Sequence, residues 1–208
     1  MFSKLVLGIE PWLSMACDDW KCAEPSVSLV PIEVSLDNNY LFNCDVLSEH
    51  SPSVCTGFVA WGPDFLNFQR LELMGELKKR GFKMPALVHP SAVVSSSVKY
   101  QENTWIQAMA VVGANASIGL NSCIEIGARI GVQSIIEKSV WIGCDAKIGA
   151  FTKIGAHSVI GRGVEVIDSL AVGRQALIER TQIITQNWPD KKFSVFSSNL
   201  DGVIADLT

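Results

Sequence analysis

The chain has 208 residues, 48% of them hydrophobic and 18% charged, and a formal net charge of −4. That balance describes a compact globular protein of one or two domains and excludes a disordered one. A net negative charge gives no electrostatic footing for nucleic acid or an anionic membrane surface, and no apolar run approaches the length of a membrane span.

Residues 1–85 read as a small α/β unit of degenerate Rossmann-like type. The apolar run Leu5-Val6-Leu7-Gly8-Ile9 after Lys4 is broken by Glu10 and Pro11, too soon for the hydrophobic region of a signal peptide, so a cytoplasmic protein is expected. Segments 4–9, 28–34 and 57–61 are rich in β-branched or aromatic residues and predict strands. Between the last two, 35–56 is rich in Asn, Asp and Ser and reads as loop, with a weak strand at 40–42 and His50 as a surface histidine. A helix is expected over 64–80, capped by Asp64. Leu66, Leu73, Met74 and Leu77 form its apolar stripe; Lys78, Lys79 and Arg80 complement its dipole, and Gly81 ends it. The six cysteines, at 17, 22, 44, 55, 123 and 144, contain no CxxC pair and are expected as free thiols. Three scattered histidines cannot supply a metal-ligand set, so no metal is expected.

From about residue 86 to 184 the chain changes character. An aliphatic residue returns every six positions: Ile106, Val112, Ile118, Ile124, Ile130, Ile136, Ile142, Ile148, Ile154, Ile160, Val166, Val172, Ile178, Ile184. Val88 and Val94 extend the register backward, and Tyr100 alone breaks its chemistry. A small residue often stands two positions before the anchor, as at Ala110, Ser122, Ala146 and Ser158. Glycine often follows it, as at Gly113, Gly143, Gly155, Gly161 and Gly173. Neither an α-helix nor a single alternating strand has a period of six. Hexapeptide repeats predict a parallel β-helix of about five to six coils. Three hexads close one triangular coil, so residues 18 apart stack at about 4.8 Å. Each buried anchor contributes roughly 1.5–3 kcal/mol gross. The glycines are expected at corners of positive φ.

One stacked column is polar throughout: Asn103, Asn121, Ser139, His157, Gln175. Such a ladder could line a groove between subunits. Arg129, Lys147 and Glu165 form a charged ladder with no chemistry implied. After Ile184 the repeat stops, and residues 185–208 read as a C-terminal tail that caps the last coil. It begins with a turn at 186–190 and a short strand at 192–196.

The pattern resembles the hexapeptide-repeat acyltransferases, whose β-helices are left-handed and trimeric. Within them it is most similar to the sugar acyltransferases that include sialic acid O-acetyltransferases and bacillosamine N-acetyltransferases. Phe58-Val59-Ala60-Trp61-Gly62 with Arg70 resembles the end of that family's N-terminal domain. Val88-His89-Pro90-Ser91-Ala92 resembles the start of its β-helix, and Ser134-Ile135-Ile136-Glu137 with Trp141-Ile142-Gly143 the stretch around its catalytic site.

The resemblance implies transfer of an acyl group from acetyl-CoA, or another acyl-CoA, to an amino or hydroxyl group of a small-molecule sugar in surface-polysaccharide synthesis. It implies a homotrimer, with CoA against Gly155, Ala156, Gly161 and Gly173, and sugar contacts at Ser139, Glu137 and Gly62. Such chemistry needs a general base and donors for the oxyanion. Aligned on Ile136-Glu137, the family's base histidine falls at Lys138, its orienting glutamate at Ser139 and a second histidine at Lys147. His157, one coil beyond Ser139, is then the candidate base, with Lys138 steering an anionic substrate or the oxyanion. The family's Gly-rich phosphate loop falls at Ile9-Glu10-Pro11-Trp12, which lacks its glycines. A catalytically silent trimeric scaffold or regulator is the alternative.

Overall fold

In this computed structural model the described residues are 3–37 and 40–195, with the backbone alone of 204–206. The N-terminal region is a three-stranded parallel sheet of β1 (Ser3–Gly8), β2 (Ser28–Glu33) and β3 (Cys55–Ala60), in the order β2-β1-β3. Helix α1 (Trp12–Ala23) packs on one side and α2 (Phe68–Lys79) on the other. Side chains alternate along a strand, so Leu5, Leu7 and Val59 face α2 while Val6, Phe58 and Ala60 face α1. A sheet covered on both faces needs the nearly unbroken apolar run that β1 carries.

Helix α1 has no counterpart in the sequence reading. Its buried residues Leu13, Ala16, Cys17 and Trp20 nevertheless keep the helical i, i+3, i+4, i+7 spacing. The predicted weak strand at 40–42 reduces to a single bridge between Leu36 and Phe42. A short 3-10 turn over Asp45–Glu49 occupies the rest of that loop. Helix α2 begins at Phe68, four residues later than expected. Phe65, Leu66 and Asn67 before it are all left-handed, and Asp64 makes no capping bond. Its end is as predicted: Gly81 takes φ 84, and its N–H donates to the Lys78 carbonyl at 3.0 Å.

The repeat region is a prism of three parallel sheets. The first face holds the pairs Leu87–Val88, Trp105–Ile106, Cys123–Ile124, Trp141–Ile142, Val159–Ile160 and Leu177–Ile178, each bonded to the next 18 residues on. The second runs from Val93–Val94 to Ile183–Ile184, and the third from Lys99–Tyr100 to Ala171–Val172. Ile106, Ile124, Ile142, Ile160 and Ile178 stand in file with no exposed surface. The small residues before the anchors are buried as well. Where they are hydroxylic they bond up the column: Ser134 Oγ donates to the Gly149 carbonyl at 2.7 Å and accepts the Thr152 N–H at 3.3 Å. Such pairing removes the cost of burying them.

The glycine expectation needs correction. The glycines that follow the anchors do not carry the corner φ; the third residue after the anchor does. Met109, Asn115, Asn121, Gln133, Ser139, Asp145, Phe151, His157, Ser169 and Gln175 all have φ between 53 and 62. The post-anchor glycines stand instead where the coil above comes closest. A Cβ on Gly155 would lie 2.6 Å from the Arg174 nitrogen, and one on Gly161 would lie 2.7 Å from the Ile178 carbonyl.

Strand Lys192–Ser194 adds to the first face beside Leu177–Ile178 and pairs antiparallel with Ile204–Asp206. Trp188 closes the end of the core, its indole N–H on the Lys192 carbonyl at 3.0 Å. Residue 196 of the expected strand lies outside the described residues, as do 197–203 and 207–208 of the tail. The six cysteines are all free thiols.

Candidate functional site

The N-terminal region sits on the β-helix through two surfaces. Helix α1 covers the first face, burying Trp105, Cys123, Trp141 and Val159. Helix α2 and the segment before it lie along the corner between the third and first faces, and the predicted polar column runs up that corner.

Asn103 Oδ1 accepts the Val59 N–H at 2.8 Å, Asn103 Nδ2 donates to Asn121 Oδ1 at 2.9 Å, and Asn121 Nδ2 donates to Ser139 Oγ at 3.1 Å. Arg70 reaches in from α2. Its guanidinium donates to the Asn121 carbonyl and, at 3.0 Å, to the Asn103 carbonyl. Burial without a carboxylate partner lowers its pKa to about 10, which leaves it charged at neutral pH. Asn103, Asn121 and Ser139 have no exposed surface. The lower ladder is therefore a bolt between the two parts of one chain, not the lining of a groove. Ser139, expected to contact sugar, spends its Oγ on Asn121 and its carbonyl on Asn67 Nδ2 at 2.9 Å.

His157 stands one coil above Ser139 and is 5% exposed. Its N–H donates to the Lys138 carbonyl at 3.1 Å, and its ring lies flat against Phe68 with centroids 4.2 Å apart and planes 8° apart. Burial lowers the imidazole pKa. The backbone of Leu66 pulls it back up, and the cations Lys138 and Arg174 push it further down. Neutral imidazole has one nitrogen that donates and one that accepts, and Nδ1 is buried with no partner among the described residues.

Lys138 is exposed beside it and forms no ion pair among the described residues. Glu137 is fixed: it pairs with Lys153 at 2.7 Å and accepts the Ala156 N–H at 2.9 Å. The hydrogen bond from Lys153 is the main cause that holds its carboxyl below the ordinary range. Lys99, Gln101, Gly119, Glu137 and Lys138 line a cavity of about 430 Å³ on the third face. Of the residues implied for CoA, Gly155, Ala156 and Gly173 share this corner, whereas Gly161 lies on the next one, between the first and second faces.

Gly62 is elsewhere, at the end of β3, where a Cβ would meet Trp12 Nε1 at 2.6 Å. The first turn of α1, where the resemblance puts a phosphate, already holds an anion. Glu10 accepts from Ser14 Oγ at 2.6 Å and from the Ser14 N–H at 3.4 Å. His89 binds Ser91 Oγ at 2.7 Å near Asp19, and Ser91 in turn caps the Met109 N–H of the next coil. Ser97 caps Asn115 in the same way, so this cluster closes the bottom of the prism. Arg70 and Asn67, which knit the site, were beyond the sequence reading as site residues. Their polar type within a helix stripe was the available signal.

Residues 82–193, more than half of the chain, match the GMPPB C-terminal domain. The chain belongs to the GMPPB C-terminal domain family. No curated protein matches the sequence. Among solved structures, a mutant of perosamine N-acetyltransferase from Caulobacter crescentus, in complex with CoA and GDP-perosamine, superposes with a TM-score of 0.81. It is 18% identical over 99% of this chain and 98% of its own. The acetyltransferase domain of PglB from Neisseria gonorrhoeae, in complex with acetyl coenzyme A, gives 0.81 at 22% identity, over 93% of this chain and 96% of its own. WeeI from Acinetobacter baumannii gives 0.67 at 18% identity over 99% and 100%. The shared fold is an α/β region followed by a left-handed parallel β-helix. Among the described residues no helix is long and apolar enough to cross a membrane, and no group of His, Cys, Asp and Glu could hold a metal ion.

Proposed function

We propose that this protein is an acyl-CoA-dependent acyltransferase that modifies an amino or hydroxyl group of a sugar, nucleotide-linked or sialic-acid-like, in the cytoplasm during surface-polysaccharide synthesis. The observation that carries the reading is His157, a buried neutral imidazole whose Nδ1 has no partner, beside Lys138, which forms no ion pair among the described residues. A general base must be unprotonated at working pH, and burial supplies that state. In the reaction Nδ1 takes the proton of the attacking amine or hydroxyl as the new bond to the acyl carbon forms. The carbon–sulfur bond then breaks, and the proton passes to the departing thiolate. Lys138 stabilises the oxyanion. The phosphates of CoA have cations to meet in Lys99, Lys138 and Arg174, none of them ion-paired among the described residues. The solved neighbours bound to CoA and to GDP-perosamine support the same chemistry. Glu10, just before α1 and bonded to Ser14 of its first turn, weighs against a diphosphate held there.

A homotrimer is part of this reading. Val93, Val111 and Ile183 on the second face and Met109, Ile126 and Phe151 at its borders are exposed and apolar, a surface suited to a second copy of the chain. CoA then lies between adjacent β-helices, against Gly155, Ala156 and Gly173. Titration calorimetry with acetyl-CoA is the first test, followed by free-thiol release on a panel of amino-sugar nucleotides. Binding and release, with release lost in His157→Gln, are expected.

The second reading is a catalytically silent trimeric scaffold. Phe68 over His157 and a lysine at position 138 favour it. Absence of acetyl-CoA binding by the trimer selects it.

A further inference from the structure

Residues 65–67 pass through three consecutive left-handed conformations without a glycine, at φ 48, 54 and 62. Such a run persists only where its surroundings hold it. Leu66 packs against the core that α1 covers, and three further contacts hold the run here. The Leu66 backbone meets the His157 ring, Asn67 Nδ2 donates to the Ser139 carbonyl, and Phe68 stacks on the imidazole. All three end on two residues stacked in one column, Ser139 and His157. Underneath, two buried polar atoms stay without partners among the described residues: His157 Nδ1 and Asn67 Oδ1. Outside, Phe65 is 69% and Phe68 43% exposed, so no core packing pins the outer side.

We propose that residues 64–68 are a gate, shut in this structure, whose outward swing bares His157 to the corner that carries Lys138. Opening breaks the three contacts and lifts Leu66 off the core. It also releases three strained residues and hydrates two orphaned polar atoms, which offsets that cost and lets the two states exchange. Arg70 keeps the body of α2 bolted to the β-helix and confines the motion to the segment. At its outer end Asp64 follows Gly62 and Pro63 at the tip of β3, and Phe65 meets Tyr40 edge-on with centroids 6.5 Å apart. The carboxyl ends of parallel strands are where open α/β sheets take ligands. A ligand there touches the gate before it touches His157, and couples the two regions.

The gate stands or falls independently of acyl transfer, because its readout is the accessibility of His157. On the full chain, modification of histidines by diethyl pyrocarbonate, resolved by mass spectrometry, gives a separate rate for each. The wild-type His157 should react about tenfold slower than half-buried His50. Asn67→Ala and Phe68→Ala, each checked for unchanged circular dichroism and cooperative melting, should raise the His157 rate at least ~fivefold and leave His50 and His89 unchanged. Wild-type amides of residues 65–67 should exchange hydrogen faster than those of Trp141 and Ile142, and independently of low denaturant. A wild-type His157 as reactive as His50 overturns the shut state. Unchanged His157 rates in both variants, or exchange at residues 65–67 only through global unfolding, overturn the gate.

Discussion

Arg70 donates to the Asn103 carbonyl at 3.0 Å, from a helix of the N-terminal region to a corner of the β-helix. The same guanidinium also meets the Asn121 carbonyl one coil up. A planar fork holds its donors in fixed positions toward two stacked carbonyls, which the single rotating nitrogen of a lysine does not. This bolt ties the N-terminal region to the prism at the corner, beside the apolar contact that α1 makes with the first face.

Arg70→Lys should therefore leave a buried carbonyl unsatisfied and cost about 1–3 kcal/mol. Arg70→Ala, which also opens a cavity, should cost more, about 3–5 kcal/mol. Urea titration followed by tryptophan fluorescence reads both, since Trp12, Trp105 and Trp141 lie where α1 meets the β-helix. An Arg70→Ala protein as stable as wild type would show that the two parts hold together without it.

The post-anchor glycines and the corner glycines should respond in opposite ways. In Gly155→Ala the new methyl would stand 2.6 Å from the Arg174 nitrogen and 2.6 Å from the Gly173 carbonyl carbon. Backbone cannot yield there, so overpacking should cost roughly 1–3 kcal/mol or more. Gly163 has φ 65, and its nearest neighbour to a new Cβ is Thr181 Cγ2 at 3.4 Å. Asparagine tolerates that conformation, and Gly163→Asn should shift the melting temperature little. Equal tolerance at both positions would contradict the close approach of coils.

The β-helix was legible because its code is local and repetitive. Ile124, Ile142 and Ile160 stack because each is 18 residues from the next, and no distant contact has to be guessed. The helix α1 signal was also present, in Leu13, Ala16, Cys17 and Trp20, but it spans only two helical turns and directly follows Glu10-Pro11. Far less of the site could be read. His157 was identifiable as the polar member of a column, yet its neutrality depends on Phe68, 89 positions earlier in the chain. Nothing in a hexad says which corner another region will cover. For the same reason Asn103 and Asn121 looked like a solvated wall when they are a buried seam.

Glu137 links two coils through Lys153 and the Ala156 N–H. Its folded pKa lies below the ordinary 4.5, so the stability it adds is complete above that value and drains as pH falls through the folded one. Since the pair is partly exposed, at 54% and 29%, the effect should be small, a few tenths of a kcal/mol. Glu137→Gln should melt slightly below wild type at neutral pH, and the two curves should converge once pH falls below the lowered folded pKa. A gap that persists in acid would assign the effect to the Ala156 bond alone.

His157 titrates in a different window and with its own sign. Burial, together with the nearby Lys138 and Arg174, holds its pKa below the ordinary 6.5. Protons therefore bind the unfolded chain more tightly than the folded one. Nothing is lost above 6.5, and stability falls progressively as pH drops from there through the folded value. His157→Gln removes this group while His50 and His89 remain in both proteins. Melting temperatures measured at about pH 7.5 and about pH 5 should fall more steeply for wild type than for His157→Gln. Parallel slopes would mean that the imidazole is already solvated in the resting protein, and the stacked, desolvated ring could not be its ground state.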